Sequence, residues 1–297
     1  MTNARPTILL TGARGQLGRE LAATLPAHGD VVACDRARLD LADVDAIVRK
    51  VRDVAPTIIV NAAAYTAVDR AEQASDDAFA INARAPGVLA DEARRAGALL
   101  VHYSTDYVFD GESDVPYAEN APASPINVYG ASKLAGERAI AASGASALIL
   151  RTSWVYARHG QNFLTTMERL AATRRELRVV VDQTGVPNWA RGLARTTATL
   201  VAGGVDRLRE RDGLYHLSAT GATTWYAFAR AILCDRPDVA VVPITIAEYP
   251  TAARRPKHAV LDASRFARTF DFALPAWDAQ LRECLNSPAE PPAQPAY

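Results

Sequence analysis

The N-terminal segment is the part of the sequence that most narrowly limits the fold. A short apolar run, Thr7–Leu10, passes directly into a turn that carries Gly12, Gly15 and Gly18, and a segment with helical periodicity follows. Glycines at this spacing permit a tight turn, let the backbone approach a pyrophosphate, and allow the next helix to pack closely on the sheet. A second apolar run ends in Asp35, about 20 residues further on. The pattern therefore predicts a strand–turn–helix–strand unit that binds a dinucleotide, with phosphate at the helix N-terminus.

The residues after the second strand bear on which nicotinamide coenzyme is bound. Asp35 in this position binds adenosine ribose hydroxyls and favours NADH, whereas Arg36 or Arg38 is placed to meet the 2′-phosphate of NADPH. An exposed loop charge is the alternative for both arginines, and it is the simpler interpretation of Arg38. NADH and NADPH both remain open, with a slight preference for NADH. Asp40, followed by Leu41, lies near the adenine or caps the next helix.

Further apolar runs alternate with helical segments along the chain. Strands are expected at Pro56–Val60, Ala98–Tyr103, Ala147–Arg151 and Val179–Asp182, and a long helix pair at Asp69–Ala96. Strands and helices that alternate in this way form parallel sheets with right-handed crossovers. The fold class is therefore predicted to be α/β, with a doubly wound, Rossmann-like parallel sheet.

Small and polar residues follow the carboxyl ends of two of these strands, where such sheets bind their ligands. Asn61–Thr66 leaves room for a ligand after the third strand, and Ser104 with Thr105 ends the next one. His102 precedes the strand end, so it is interpreted as a packed histidine rather than as a base.

Tyr129 and Lys133 lie at the start of a helical segment that follows a proline-rich loop, 116–127. Residues four apart on a helix share a face at about 5–6 Å. An ammonium beside a phenol lowers the tyrosine pKa from about 10. The pair therefore predicts a phenol that gives a proton to a carbonyl oxygen. A solvated surface pair is the alternative.

Composition narrows the possible partners and the compartment. The chain has 33 basic and 33 acidic residues and a formal net charge of zero, so it has no overall charge that attracts nucleic acid or a membrane surface. Cys34, Cys234 and Cys284 have no metal-ligand spacing and are read as free thiols in a reducing compartment. The N-terminal apolar run is too short for a signal peptide or a membrane span. A cytoplasmic protein that binds a small molecule, without nucleic acid or membrane partners, is expected.

Taken together, several motifs resemble the extended short-chain dehydrogenase/reductase family. They are the glycine turn, Val60–Asp69, His102–Phe109, Asn127–Gly130, Arg151–Tyr156 and Gly213–Leu217. Within the family the likeness is to members that act on nucleotide sugars. It implies NADH- or NADPH-dependent reduction of dTDP-4-dehydro-L-rhamnose, at its C4 ketone, to dTDP-L-rhamnose for cell-surface polysaccharide synthesis.

The resemblance also implies roles for single residues. Thr105, Tyr129 and Lys133 match the catalytic positions, and Thr105, Asp106 and Trp154 match positions that contact the substrate. The residues that match coenzyme-binding positions are Gly12, Gly15, Gln16, Leu17, Gly18, Asp35, Asp40, Leu41, Ala63, Ala64, Tyr65, Thr66, Tyr129 and Lys133. From the residue type alone, Trp154 reads equally well as core filling.

Two positions bear on metal binding and assembly. Some members of the family bind magnesium at a dimer contact through glutamates. This chain keeps Glu20 but carries Arg191 after Gly185–Pro187. No metal site of this kind is therefore expected, and the protein is predicted to be a monomer or a homodimer.

The family likeness implies a small C-terminal substrate-binding domain beside the sheet. The predicted dinucleotide-binding domain covers 1–153, with contributions from 170–187 and 213–235. The predicted substrate domain comprises 154–169, 188–212 and 236–286, and the Pro- and Ala-rich segment 287–297 is expected to be a disordered tail. Arg254–Pro256 reads as a diphosphate contact or, equally, as a solvated basic loop.

Two other functions stay open. Nucleotide-sugar dehydratases and epimerases share the fold, but the dehydratases carry a glutamate where this chain has Tyr107. Elimination of water needs that carboxylate. The other alternative is a non-catalytic, coenzyme-binding regulatory subunit.

Overall fold

The computed structural model describes residues 5–287. Its strands are β1 (Thr7–Thr11), β2 (Asp30–Cys34), β3 (Ile58–Asn61), β4 (Leu99–Thr105), β5 (Ala147–Thr152), β6 (Val155–Tyr156), β7 (Glu176–Val180), β8 (Thr184–Gly185), β9 (Asn188–Trp189), β10 (Gly213–His216), β11 (Thr223–Thr224) and β12 (Ala240–Ile244). Its α-helices are α1 (Gln16–Thr24), α2 (Val44–Val54), α3 (Val68–Ala71), α4 (Ser75–Phe79), α5 (Ala85–Ala96), α6 (Val128–Ser143), α7 (Phe163–Ala171), α8 (Ala190–Ala202), α9 (Val205–Arg209), α10 (Trp225–Ile232), α11 (Ser264–Phe270) and α12 (Trp277–Asn286). Short 3₁₀ turns lie at Leu25–Ala27, Asp106–Val108 and Ile246–Glu248, and a π-helical turn at Ala80–Arg84.

Within the described residues, six strands form one parallel sheet in the order β10–β5–β4–β3–β1–β2. All seven residues of β4 are buried, as expected for a strand covered by helices on both faces. The prediction of an α/β fold with a doubly wound parallel sheet is confirmed.

Each face of the sheet has its own hydrophobic core because successive side chains of a strand point to opposite sides. On one face Leu10 and Val60 pack with residues of α1 and α8. On the other face Leu9 and Ile59 pack with residues of α2, α5 and α6, among them Ile140. α6, which carries Tyr129 and Lys133, therefore lies on this second face.

The strand expected at Val179–Asp182 does not belong to the main sheet, and its predicted place there is wrong. β7 pairs in parallel with β12 in a separate two-stranded sheet. Its core is shared with α7, α10 and α12 rather than with the main sheet. Glu176 and Arg178 are exposed, so one face of this strand meets solvent. An apolar run indicates a strand, but it does not specify the sheet that the strand joins.

Other segments also depart from the predicted domain boundaries. α8 packs on α1 and contributes Leu193 and Ala198 to the core of the main sheet, although the sequence predicts 188–212 to belong to the substrate domain. α11 lies within 236–286, which is also predicted to belong to the substrate domain, and it likewise packs Phe266 against β10. Strand β10 joins the main sheet, whereas Phe228 of α10 lies in the other core. The division into two domains otherwise stays a prediction, and 288–297 of the expected tail lies outside the described residues.

Within 5–287, no helix is both long enough and apolar enough to cross a membrane.

Candidate active site

The glycine turn forms one wall of a large cavity. Gly12 adopts a left-handed φ of 71°, and a side chain there would meet the backbone of Ala63 at 2.6 Å. A side chain at Gly18 would meet Gly12 O at 2.0 Å, so only glycine lets α1 approach the turn this closely. α1 begins after Gly15 without a side-chain cap. Its first amides are therefore left for an anionic group, as at phosphate-binding helix N-termini.

The cavity beside this turn has a volume of about 670 Å³. The residues expected to bind coenzyme all line it except Gly18, which lies behind the turn against Gly12. Sequence analysis did not single out Arg14, Ile81, Gly160 or Gln161, which line it as well. Gly160 and Gln161 come from the loop before α7. No local motif marks them.

The cavity contains polar groups that suit a dinucleotide. Gln16 Oε1 and the Tyr65 hydroxyl are buried and find no hydrogen-bond partner within the described part of the chain. Buried polar atoms are nearly always paired, so unpaired ones in a cavity wall are suited to a ligand. With the glycine cradle and the uncapped helix, these residues fit a dinucleotide.

Asp35 lies at the cavity end nearest β2, among arginines. Its carboxylate pairs with Arg14 at 3.1 Å and accepts from the backbone N–H of Arg38 at 3.1 Å. The Arg38 side chain turns back to Ala33 O and does not line the cavity, whereas Arg36 does. This end therefore offers both a carboxylate for ribose hydroxyls and guanidinium groups for a phosphate.

A π-helical turn in the predicted helix pair shapes the cavity floor. Asn82 in this turn bonds the backbone N–H and C=O of Tyr65 at 2.8 and 3.0 Å and reaches Ser132 Oγ at 3.0 Å. π turns insert an extra residue and recur at functional sites. Asn82 thus fixes the loop after β3 against α6. The signal available in the sequence was an asparagine flanked by Ala80, Ile81 and Ala83 inside the predicted helix pair.

Tyr129 stands in the first turn of α6 and faces the cavity with Lys133. Asn127 caps the helix, accepting from Gly130 N at 2.7 Å and donating to Arg254 O at 2.8 Å. A side chain at Gly130 would meet Tyr107 O at 2.1 Å. This close approach holds the start of α6 against the turn after β4.

The predicted effect of Lys133 on Tyr129 is not found. Burial raises the pKa of Tyr129 to about 12, with a hydrogen bond to Thr105 opposing the rise and Asp106 adding to it. Lys133 Nζ instead lies 2.6 Å from Tyr103 O and 3.1 Å from His102 Nε2. The lysine amine is thus directed into the sheet, and the expectation of a lowered tyrosine pKa is wrong for this structure.

Thr105 and Asp106 lie beside Tyr129 but outside the wall of the large cavity. Thr105 Oγ1 donates to Asp106 Oδ1 at 3.0 Å and accepts from Tyr107 N at 3.2 Å. Burial raises the pKa of Asp106 to about 7, and the Thr105 hydrogen bond opposes this rise. Tyr107 meets Tyr129 edge to face, with ring centroids 5.4 Å apart.

Trp154 does not line the large cavity. It adopts a positive φ of 41° and stacks on Trp225, with centroids 3.5 Å apart. Trp225 lines a second cavity of about 590 Å³, next to β7 and β12, with Arg174, Arg178 and Gln183. The structure therefore associates Trp154 with this second cavity through Trp225.

Arg255 joins the two halves of the site. It forms hydrogen bonds with both carboxylate oxygens of Asp69, at 3.1 and 2.7 Å, and it lines the second cavity. Burial is the largest single effect on the pKa of Arg255 and lowers it, but the hydrogen bonds to Asp69 and then the nearby Tyr107 phenol outweigh burial and raise this pKa. The basic segment is thus not simply a solvated loop, because Arg255 connects the second cavity with the tyrosine pair.

Glu20 is not arranged like a metal ligand. Its buried carboxylate lies 2.8 Å from Arg191 Nε and 3.3 Å from His159 Nε2. Burial raises its pKa, but the hydrogen bonds to His159 and Arg191 outweigh this and lower it. The Arg191 guanidinium, rather than a metal ion, therefore provides the positive charge beside the Glu20 carboxylate.

The parallel sheet, the glycine turn and the tyrosine–lysine helix define a dinucleotide-binding protein of the Rossmann-like class. The chain belongs to the family described as RmlD substrate binding domain, whose model matches residues 6–289. It is 45% identical to the dTDP-4-dehydrorhamnose reductase of Burkholderia thailandensis over 94% of this chain and 98% of that protein. It is 42% identical to the reductase of the same name from Escherichia coli K12, over 94% and 97%.

A solved structure shows the same fold. The crystal structure of a dTDP-4-dehydrorhamnose reductase from Bacillus anthracis, in complex with NADP, superposes with a TM-score of 0.89 at 36% identity, covering 95% of this chain and 99% of that one.

Proposed function

We propose that this protein uses NADH or NADPH to reduce the C4 ketone of dTDP-4-dehydro-L-rhamnose, giving dTDP-L-rhamnose. The observation that carries this proposal is that Tyr129 and Lys133 face the same cavity as the glycine turn. Relatives named for this activity match nearly the whole chain. The proposal places a proton donor beside a dinucleotide site, as a carbonyl reduction requires.

The coenzyme is held along the large cavity. The amides at the start of α1 receive the pyrophosphate, Asp35 and its arginines receive the adenosine ribose, and Lys133 receives the ribose nearest Tyr129. A nicotinamide coenzyme, when bound, supplies the hydride that reduces the carbonyl carbon.

Tyr129 donates a proton to the carbonyl oxygen as negative charge develops there. A pKa of about 12 keeps this phenol protonated at neutral pH. Thr105 donates its hydroxyl hydrogen to Asp106. This hydrogen bond holds the Asp106 carboxyl group in place beside the Tyr129 phenol. Thr105 contacts the substrate oxygen only if that hydrogen turns away from Asp106.

The nucleotide part of the substrate occupies the second cavity. Arg174, Arg178 and Arg255 line it together with the aromatic ring of Trp225, which suits a diphosphate and a base. The Arg255 guanidinium interacts with the Tyr107 phenol, and the Tyr107 ring in turn meets the Tyr129 ring edge to face. Arg255 therefore positions the sugar towards Tyr129.

The direct test is to incubate the protein with dTDP-4-dehydro-L-rhamnose and to follow the absorbance of NADH and NADPH in separate reactions. Oxidation of either coenzyme with formation of dTDP-L-rhamnose is expected. If neither is oxidised although coenzyme binds, the regulatory alternative is favoured and the reductase assignment fails. A cytoplasmic location and a monomeric or homodimeric state remain predictions from the sequence.

Replacing Arg36 is expected to reveal the contact with a 2′-phosphate. Arg36→Ala should raise the KM for NADPH by roughly 3- to 10-fold, because an exposed charge-assisted contact contributes about 1 kcal/mol. The KM for NADH should change much less. Arg38→Ala is the matched control, since Arg38 turns to Ala33 O outside the cavity. Equal effects of both substitutions on NADPH would contradict the assignment.

A further inference from the structure

The glycine turn and the end of β2 bring an arginine and an aspartate together at one end of the large cavity. The parallel register pairs Thr11 of β1 with Cys34 of β2, and the backbone N–H of Ala13 donates to Cys34 O at 3.1 Å. Arg14 and Asp35, which follow directly in the two segments, therefore lie side by side. Arg14 Nε is 3.1 Å from Asp35 Oδ2, and both residues line the cavity.

The Asp35 carboxylate is held in one orientation by the backbone that follows it. Its Oδ1 accepts from the Arg38 N–H at 3.1 Å, and its backbone C=O accepts from the Leu39 N–H at 2.9 Å. Oδ2 is left to face Arg14. A carboxylate oxygen accepts more than one hydrogen bond, so Oδ2 can bind a ribose hydroxyl while it stays paired with the guanidinium.

Arg14 keeps donors in reserve although it is paired with Asp35. A guanidinium has five N–H groups, and within residues 5–287 the Arg14 side chain forms no hydrogen bond or ion pair other than the contact of its Nε with Asp35. The Arg14 side chain is 57% exposed, against 19% for Asp35. Its two terminal nitrogens are therefore free to meet a phosphate oxygen beside the ribose.

The neighbouring carboxylate is balanced in the same way. Arg36 Nε lies 3.6 Å from Asp40 Oδ2, and both residues line the cavity. The two carboxylates and two guanidinium groups at this end have formal charges that cancel. A 2′-phosphate, which carries a charge of about −1.5 to −2 at pH 7, therefore meets no net negative charge here.

We infer that Arg14 is a specificity-determining residue, which admits the 2′-phosphate of NADPH by neutralising the Asp35 carboxylate. An unpaired carboxylate at the end of β2 accepts the ribose hydroxyls of NADH and repels a phosphate at the same place. With Arg14 beside it, Asp35 still accepts a hydroxyl, but its charge is compensated. This inference deepens the proposed function and rests on it for the identity of the ligand in the large cavity.

This role differs from that of Arg36. Arg36 is paired with Asp40 rather than with Asp35, and its side chain is 82% exposed. Removing Arg36 takes away a phosphate contact and leaves Asp35 paired. Removing Arg14 instead leaves Asp35 as an uncompensated negative charge, so the two arginines should respond differently to a second substitution at Asp35.

Calorimetric titration of the full-length protein with NADPH and with NADH, in the absence of sugar substrate, tests the assignment. Arg14→Ala should raise the Kd for NADPH by roughly 10-fold and the Kd for NADH by less than about 3-fold. Arg14→Lys keeps the charge, and both Kd values should stay within about 3-fold of the wild type. Arg49→Ala is the matched control and should change neither Kd, because Arg49 is similarly exposed, lies 3.8 Å from Asp43 and does not line the cavity.

Asp35→Asn is the decisive second substitution. The amide keeps an oxygen that accepts from Arg38 N–H but removes the charge that Arg14 compensates. In the Asp35→Asn background, Arg14→Ala should change the Kd for NADPH by no more than about 3-fold, because the repelling charge is gone. Arg36→Ala should weaken NADPH binding by the same factor in both backgrounds.

Two outcomes would overturn the inference. One is an equal loss of NADPH and NADH binding in Arg14→Ala. The other is a loss of NADPH binding in Arg14→Ala that has the same size with and without Asp35→Asn, since Arg14 would then be only a phosphate contact. These are binding measurements, so a failed reaction gives a different result: no coenzyme oxidation in the absorbance assay would reject the reductase assignment and leave the two Kd values as measured.

Discussion

Tyr129→Phe is expected to lower turnover by roughly 10²- to 10⁴-fold, the usual contribution of a positioned general acid. The ring stays in place against Tyr107, so the cavity keeps its shape and only the donated proton is lost. Coenzyme affinity, measured by fluorescence titration, should be nearly unchanged because the glycine turn and α1 are untouched. Turnover is measured by single-turnover oxidation of the coenzyme with saturating dTDP-4-dehydro-L-rhamnose.

Tyr107→Phe provides the control for this experiment. The two rings touch, but Tyr107 does not line the large cavity, so loss of its hydroxyl should reduce turnover far less. Near-normal turnover in Tyr129→Phe, or equal losses in the two variants, would rule out Tyr129 as the proton donor.

Arg151→Met is expected to destabilise the protein by about 3–5 kcal/mol, because it leaves a buried carboxylate without its cation. Arg151 Nε and Nη2 form a bidentate pair with Glu137 at 2.8 and 2.6 Å, and both side chains are almost fully buried. The guanidinium also lies 5.0 Å from the centre of the Phe109 ring. The pair joins β5 to α6 one turn after Lys133, so the site should loosen as well. Urea unfolding measures the change in free energy.

Two comparisons separate a buried pair from an ordinary surface contact. The double variant Glu137→Met with Arg151→Met removes both charges and should recover most of the lost stability. Arg195→Met breaks an exposed pair with Glu283 and should have almost no effect. A loss in Arg151→Met no larger than that in Arg195→Met would show that Glu137 is not left as an unpaired buried charge.

Much of the site was predictable because its signals are local. The turn from Gly12 to Gly18 and the acid at Asp35 are set by backbone sterics and strand–helix alternation, and the structure places them around one cavity. The helix that presents Tyr129 and Lys133 on one face follows from the 3.6-residue period. Asn82, the loop before α7 and the pairing of Arg255 with Asp69 escaped prediction because the partners are distant in the chain.

The sequence by itself determined the parallel sheet, the glycine turn and the helix that carries Tyr129, since each depends on neighbouring residues and their periodicity. Only the tertiary structure decided that β7 pairs with β12 and that Lys133 turns towards His102 and Tyr103 O. The reason is physical. An apolar run fits any sheet with a matching face, and the direction of a buried amine is set by the donors and acceptors that other strands bring to it.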